Sequence, residues 1–146
     1  MQRFFSNFID GTPGIGLLIL RFVMGMGMMA HGWGKIKTPF SWMDKPGAPS
    51  AIPDLLQALA ALGEFGGGLA IVLGFLTPLG ALGVLCTMIG AWFIAHRDLP
   101  WLDFTGKGKS FEYAALYGAV ALTLLLTGPG RFSLDALIWG KKKRRI

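Results

Sequence analysis

Residues 54–75 read DLLQALAALGEFGGGLAIVLGF, an unbroken apolar and glycine-rich run whose only charged side chains are Asp54 at its start and Glu64 near its middle. A helix that crosses a bilayer needs roughly 20 mostly apolar residues, and this stretch meets that length. If it spans, Glu64 is a carboxylate placed inside hydrocarbon, where an ionisable side chain costs at least ~2.5 kcal/mol and has to be paired, protonated or turned toward a cavity. The fold and the candidate chemistry both follow from that one stretch.

Three further segments have the same character: residues 14–33, 78–96 and 111–128. A water-soluble four-helix bundle would carry a polar stripe along each helix, and these segments have almost none. The composition agrees. Hydrophobic residues make up 53% of the 146 and charged residues 15%, against the roughly 25% charge usual in soluble domains. The reading is an all-α integral membrane bundle of four transmembrane helices, a single domain over residues 1–146 with a basic C-terminal tail at 129–146.

The connections fit this layout. Residues 34–53 hold four prolines and three lysines and read as an irregular interfacial loop. Only a few residues around Thr77-Pro78 separate the second and third spans, which makes that pair a tight antiparallel hairpin. Residues 97–110 form a polar loop. After Gly128-Pro129-Gly130, Ser133 is placed to cap a short amphipathic helix with Leu134, Leu137 and Ile138 on one face. Trp139, just before the basic run, suits an interfacial anchor.

The net charge of +6 does not point to nucleic acid, because five of the fourteen basic residues are gathered in the terminal run Lys141 to Arg145. A basic tail beside apolar helices meets anionic lipid headgroups. Four spans bring both termini to one side, where Arg3, Arg131 and the tail give seven basic groups against six on the other. The clustering at the tail places both termini in the cytoplasm. The first apolar run lacks a cleavage site and reads as retained. Cys86 is the single cysteine, so neither an intrachain disulfide nor a dithiol pair can form.

Arg21 is the evident partner for Glu64. Counted from the side of the termini, Arg21 lies about seven residues into the first span and Glu64 about eleven into the antiparallel second, a difference of roughly 6 Å at 1.5 Å per residue. The pair would either hold a ligand or a proton, or fix the helix register. The glycines beside Glu64 form small-xxx-small rows, Gly63 with Gly67 and Gly66 with Ala70 and Gly74, which let helix backbones approach closely. At the opposite ends of the spans His31, His96 and Glu112 are expected at one level, with Lys35, Trp42 and Tyr113 near them. Two histidines and a carboxylate suit proton handling. No HxxxH-type spacing supports a metal, and none is expected. The Gly25–Ala30 stretch fits a dinucleotide-binding pattern only in letters, since no strand precedes it.

Several of these residues, in this order, resemble the DoxX family of small four-helix membrane proteins. They are Arg21 with His31-Gly-Trp-Gly-Lys35, the block Glu64-Phe-Gly-Gly-Gly-Leu followed by Leu-Gly-Phe-Leu-Thr-Pro78, and Glu112 followed by Gly128-Pro-Gly-Arg-Phe-Ser-Leu-Asp135. The resemblance runs over about residues 14–138. It implies a polar signature of Arg21, Lys35, Glu64 and Glu112. It also implies an association with redox chemistry, since members include the membrane subunit of a thiosulfate:quinone oxidoreductase and membrane partners of enzymes handling superoxide and sulfur compounds. The resulting expectation is a redox-associated membrane subunit that binds a quinone or a small sulfur compound between its helices, beside a soluble or membrane redox partner or a second copy of itself. A non-catalytic scaffold and a small-solute transporter are the alternatives.

Overall fold

The computed structural model describes residues 9–45, 47, 50–95, 97–104 and 110–140. These form five helices: α1 (Thr12–Lys37), α2 (Asp54–Leu73), α3 (Thr77–Ala95), α4 (Glu112–Thr127) and the short α5 (Leu134–Trp139). The chain is an all-helical membrane bundle. α1, α2 and α3 are each long and apolar enough to cross a bilayer, and α4 is a shorter apolar helix. At 16 residues α4 is about 24 Å long, shorter than the 111–128 span expected, because Gly128 at φ 73° and Pro129 stop it.

α1 packs on α2, α2 on α3 and α3 on α4, and α1 meets α4 only at a few points. The core between them is Leu17, Met24, Met28, Ile71, Val84, Met88 and Leu124 with small residues such as Ala81, Ala114 and Ala121. Large apolar side chains face outward all round, among them Ile19, Phe22, Val23, Leu62, Phe93 and Leu126. A soluble protein seldom shows such a surface; lipid covers it at no cost.

Glycines set the helix spacing. A Cβ on Gly25 would lie 2.5 Å from Val72 and 2.7 Å from the Gly68 carbonyl, and one on Gly32 would lie 2.6 Å from the Phe65 nitrogen. On the other face of α2, a Cβ on Gly67 would lie 2.8 Å from the Gly80 carbonyl, and one on Gly63 would strike Thr87. The Gly63/Gly67 row therefore packs on α3 as expected. Gly66 meets only Leu62 of its own helix, and the row that touches α1 is centred on Gly68 instead.

These contacts also fix the register. Gly32 lies level with Glu64, Gly25 with Gly68, and Arg21 with Ile71 and Val72. Eight residues of α2 separate Val72 from Glu64, about 12 Å of helix rise. The expected Arg21–Glu64 pair is thus not formed. Counting inward from the span ends failed because the ends are not level: Arg21 sits beside the last turn of α2, so the turns of α1 before it run past that end, against Ile9 and Phe132.

Candidate functional site

Arg21 belongs to a junction at the terminal end of the bundle. It is 1% exposed. Nε donates to the Ile71 carbonyl at 2.9 Å and Nη2 to Val72 at 3.1 Å, while Nη1 donates to Pro129 at 2.9 Å and Phe132 at 2.8 Å. One side chain of α1 therefore closes the last turn of α2 and the Gly128–Ser133 segment onto the bundle. Gly74 makes room for it. Its left-handed φ of 63° ends α2, with Phe75 N donating back to Ala70 O at 3.0 Å, and a Cβ there would collide with the guanidinium.

Asp135 completes the junction. Its oxygens accept from Leu76 N at 2.8 Å and Thr77 N at 2.9 Å, which caps the start of α3 from another helix and holds Leu76 at its strained φ of 49°. Ser133 caps α5 as the sequence indicated, with Oγ accepting from Ala136 N at 3.1 Å. Leu134, Leu137 and Ile138 are exposed, the face a lipid surface would cover.

At the other end of the bundle, Glu64 pairs with Lys35, Nζ to Oε1 at 2.5 Å. Glu64 is 4% exposed, and its second oxygen, Oε2, is buried with no hydrogen-bond partner among the described residues. Lys35 sits three residues beyond Gly32, nearly one helical turn, so the close approach of α1 to α2 at Gly32 brings its ammonium to Glu64 rather than to water. The ammonium also lies 4.4 Å from the centre of the Trp42 ring, a cation–π contact. Gln57 fixes that ring. Its backbone carbonyl accepts from Trp42 Nε1 and its side-chain oxygen from Met43 N, each at 2.9 Å, and its amide donates to Ile52 O at 3.1 Å. The loop after α1 is thereby folded over the first turns of α2 and braces Lys35 from outside.

Glu64 and Lys35 line a half-open cleft of about 390 Å³ among α1, α2, α3 and α4, within the ~300–1,000 Å³ usual for small-molecule pockets. Its other polar lining is His31, Ser110, Tyr113 and Tyr117; Met28, Met88, Ala91 and Ala114 make it apolar elsewhere. The His31 and Tyr117 rings meet edge to face at 5.8 Å. Among the described residues the arrangement offers an unpartnered carboxylate oxygen, an ammonium and several hydroxyl and ring groups, against thioether and methyl walls.

Of the residues singled out in the sequence, the cleft joins Glu64, Lys35, His31 and Tyr113. Arg21 lies at the other end. Glu112 is exposed in the first turn of α4 and is not part of the cleft lining. His96 and the basic run 141–145 lie outside the described residues. Among the described residues no three His, Cys, Asp or Glu side chains converge. Tyr117, Met28, Met88 and Ser110 escaped sequence reasoning, as did the supports Gln57 and Asp135. Tyr113 and Tyr117 stand four apart on one face of α4, a signal that points to Tyr117 once Tyr113 is suspected.

A bundle of apolar helices carrying a buried carboxylate–ammonium pair in a half-open cleft between them defines a small helical membrane protein with a polar site. The chain belongs to the DoxX family, whose model matches residues 16–97. It is 32% identical over 124 residues to the inner membrane protein YqjF of Escherichia coli strain K12, covering 85% of this chain and 92% of that protein. No solved structure matches.

Proposed function

We propose that this protein is a redox-associated subunit of the inner membrane that binds the headgroup of a quinone-like molecule in the Lys35–Glu64 cleft. The observation that carries the reading is the free, buried oxygen of Glu64 in a cleft otherwise walled by rings and thioethers. Methionine sulfur and aromatic edges favour a flat ring between them, and Lys35 has donors to spare for a ligand oxygen. The sparse contact between α1 and α4 gives a lipid-borne tail a route from the bilayer to the cleft. Small sulfur compounds, the other expected ligand class, would use the ammonium but leave the aromatic walls without a role.

The inner-membrane placement draws on the likeness to YqjF. With both termini in the cytoplasm, as the basic tail suggests, the cleft opens toward the outer side of the membrane. Electrons would pass to or from a soluble or membrane partner. The test is the quinone content of the purified protein. Wild type should carry quinone through purification in mild detergent, and Ala114→Phe, which fills the cleft, should lose it. Equal quinone in both would remove the cleft as the site and leave a docking role on the loops as the better reading.

A further inference from the structure

Resting on that reading of the cleft, we infer that the site selects a ligand presenting an aromatic hydroxyl, the hydroquinone form rather than the quinone. The argument starts from which lone pairs are taken. Oε1 of Glu64 is engaged by the Lys35 ammonium, and a carboxylate paired in this way offers acceptors only. Oε2 is buried and has no partner among the described residues. A buried acceptor left unmade is costly, so the favoured ligand is one that brings a hydrogen to it.

A quinone has only acceptors and would set a carbonyl oxygen against a carboxylate oxygen. A hydroquinone supplies the O–H, and its second oxygen can meet Lys35 or a tyrosine hydroxyl on the same wall. His31, Tyr113 and Tyr117 offer ring surface to a flat phenolic ligand, and Met28 and Met88 add thioether contact to the same lining. The inference concerns binding alone and requires no electron transfer in the cleft.

The substitution Glu64→Gln makes a further demand. Lys35 would hold the amide oxygen, so the amide nitrogen, a donor, would occupy the place of Oε2. The preference should then turn toward the quinone, the acceptor form.

The experiment is an anaerobic equilibrium titration of the full chain in lipid nanodiscs with durohydroquinone, duroquinone and the dimethyl ether of durohydroquinone. Wild type should bind the hydroquinone about tenfold more tightly than either other probe, the factor expected for one satisfied buried acceptor. Glu64→Gln should lose that preference or reverse it. Equal affinity of wild type for hydroquinone and quinone overturns the selectivity while leaving the cleft as a quinone site, as does a hydroquinone preference that survives in Glu64→Gln. Absence of binding by all three removes the quinone-class reading and this inference together. The comparison of three probes on wild type needs no variant to fold.

Discussion

Arg21 and Asp135 lock the same helix junction without forming an ion pair: the guanidinium takes the carbonyls of Ile71 and Val72 at the end of α2, and the carboxylate takes the amides of Leu76 and Thr77 at the start of α3. Each charge sits at the helix end whose dipole it complements, a cation at a C-terminus and an anion at an N-terminus. A tight turn inside the apolar part of the chain thus has its exposed backbone groups satisfied from outside, as hydrocarbon requires. Two buried charges serve structure here, and the proposed site rests on Lys35 and Glu64 instead.

Arg21→Met should therefore unfold the junction rather than disarm a site. It takes the guanidinium from the carbonyls of Val72, Pro129 and Phe132 and leaves Ile71 with Gly74 N alone, and a loss of at least about 3 kcal/mol is expected, at about 1–3 kcal/mol for each buried acceptor left unmade. Arg21→Lys should recover part of it. Thermal unfolding in detergent checks the order, and quinone retained by Arg21→Lys should equal wild type.

Asp135→Ala should cost about 2 kcal/mol, since a helix cap and the support of a strained Leu76 disappear together. Asp135→Asn, which keeps one acceptor, should cost less. Denaturation midpoints in the same detergent compare them directly, and equal midpoints for wild type and Asp135→Ala would contradict the capping role.

The pair at the cleft should behave as a coupled unit. Lys35→Met alone leaves a buried carboxylate unpaired, and Glu64→Gln alone leaves the ammonium beside an amide. A double-mutant cycle should give a coupling of about 1–3 kcal/mol, with the double variant more stable than Lys35→Met. Independent, additive losses would mean that the two groups do not depend on each other.

Glycine substitutions should separate by contact. Gly25→Ala pushes a methyl onto the Gly68 carbonyl and Val72, and a loss of at least 2 kcal/mol is expected. Gly16→Ala meets nothing within 4 Å, so it should be neutral or stabilise by up to about 1 kcal/mol, the helix preference for alanine over glycine. Circular-dichroism melts of the two variants provide the comparison.

Much of this was legible in the sequence because hydrophobic run length and Gly/Pro punctuation are local signals. They marked α1 to α4, the Thr77-Pro78 hairpin and the Ser133 cap of α5. The partner of Glu64 was not legible. It depends on helix register, which the close approaches at Gly25, Gly32 and Gly68 set to within one turn, and no count from span ends carries that precision. Arg21 and Glu64 looked like a pair because both are charged residues in apolar spans. Arg21 instead found backbone carbonyls, partners that have no signature in a sequence. Lys35 was placed at the outer level but not assigned to Glu64, because it lies beyond the expected end of the first span, in the interfacial loop 34–53.

Photolabelling tests the central claim, that the Lys35–Glu64 cleft is a quinone-class site, most directly. An azido-quinone activated in membranes holding the full chain should label peptides of α1 around residues 28–35 and of α4 around 113–117, with labelling suppressed by excess unlabelled quinone and by Ala114→Phe. Labelling confined to the lipid-facing helix surfaces, or unchanged by competitor and by the filled cleft, would contradict it.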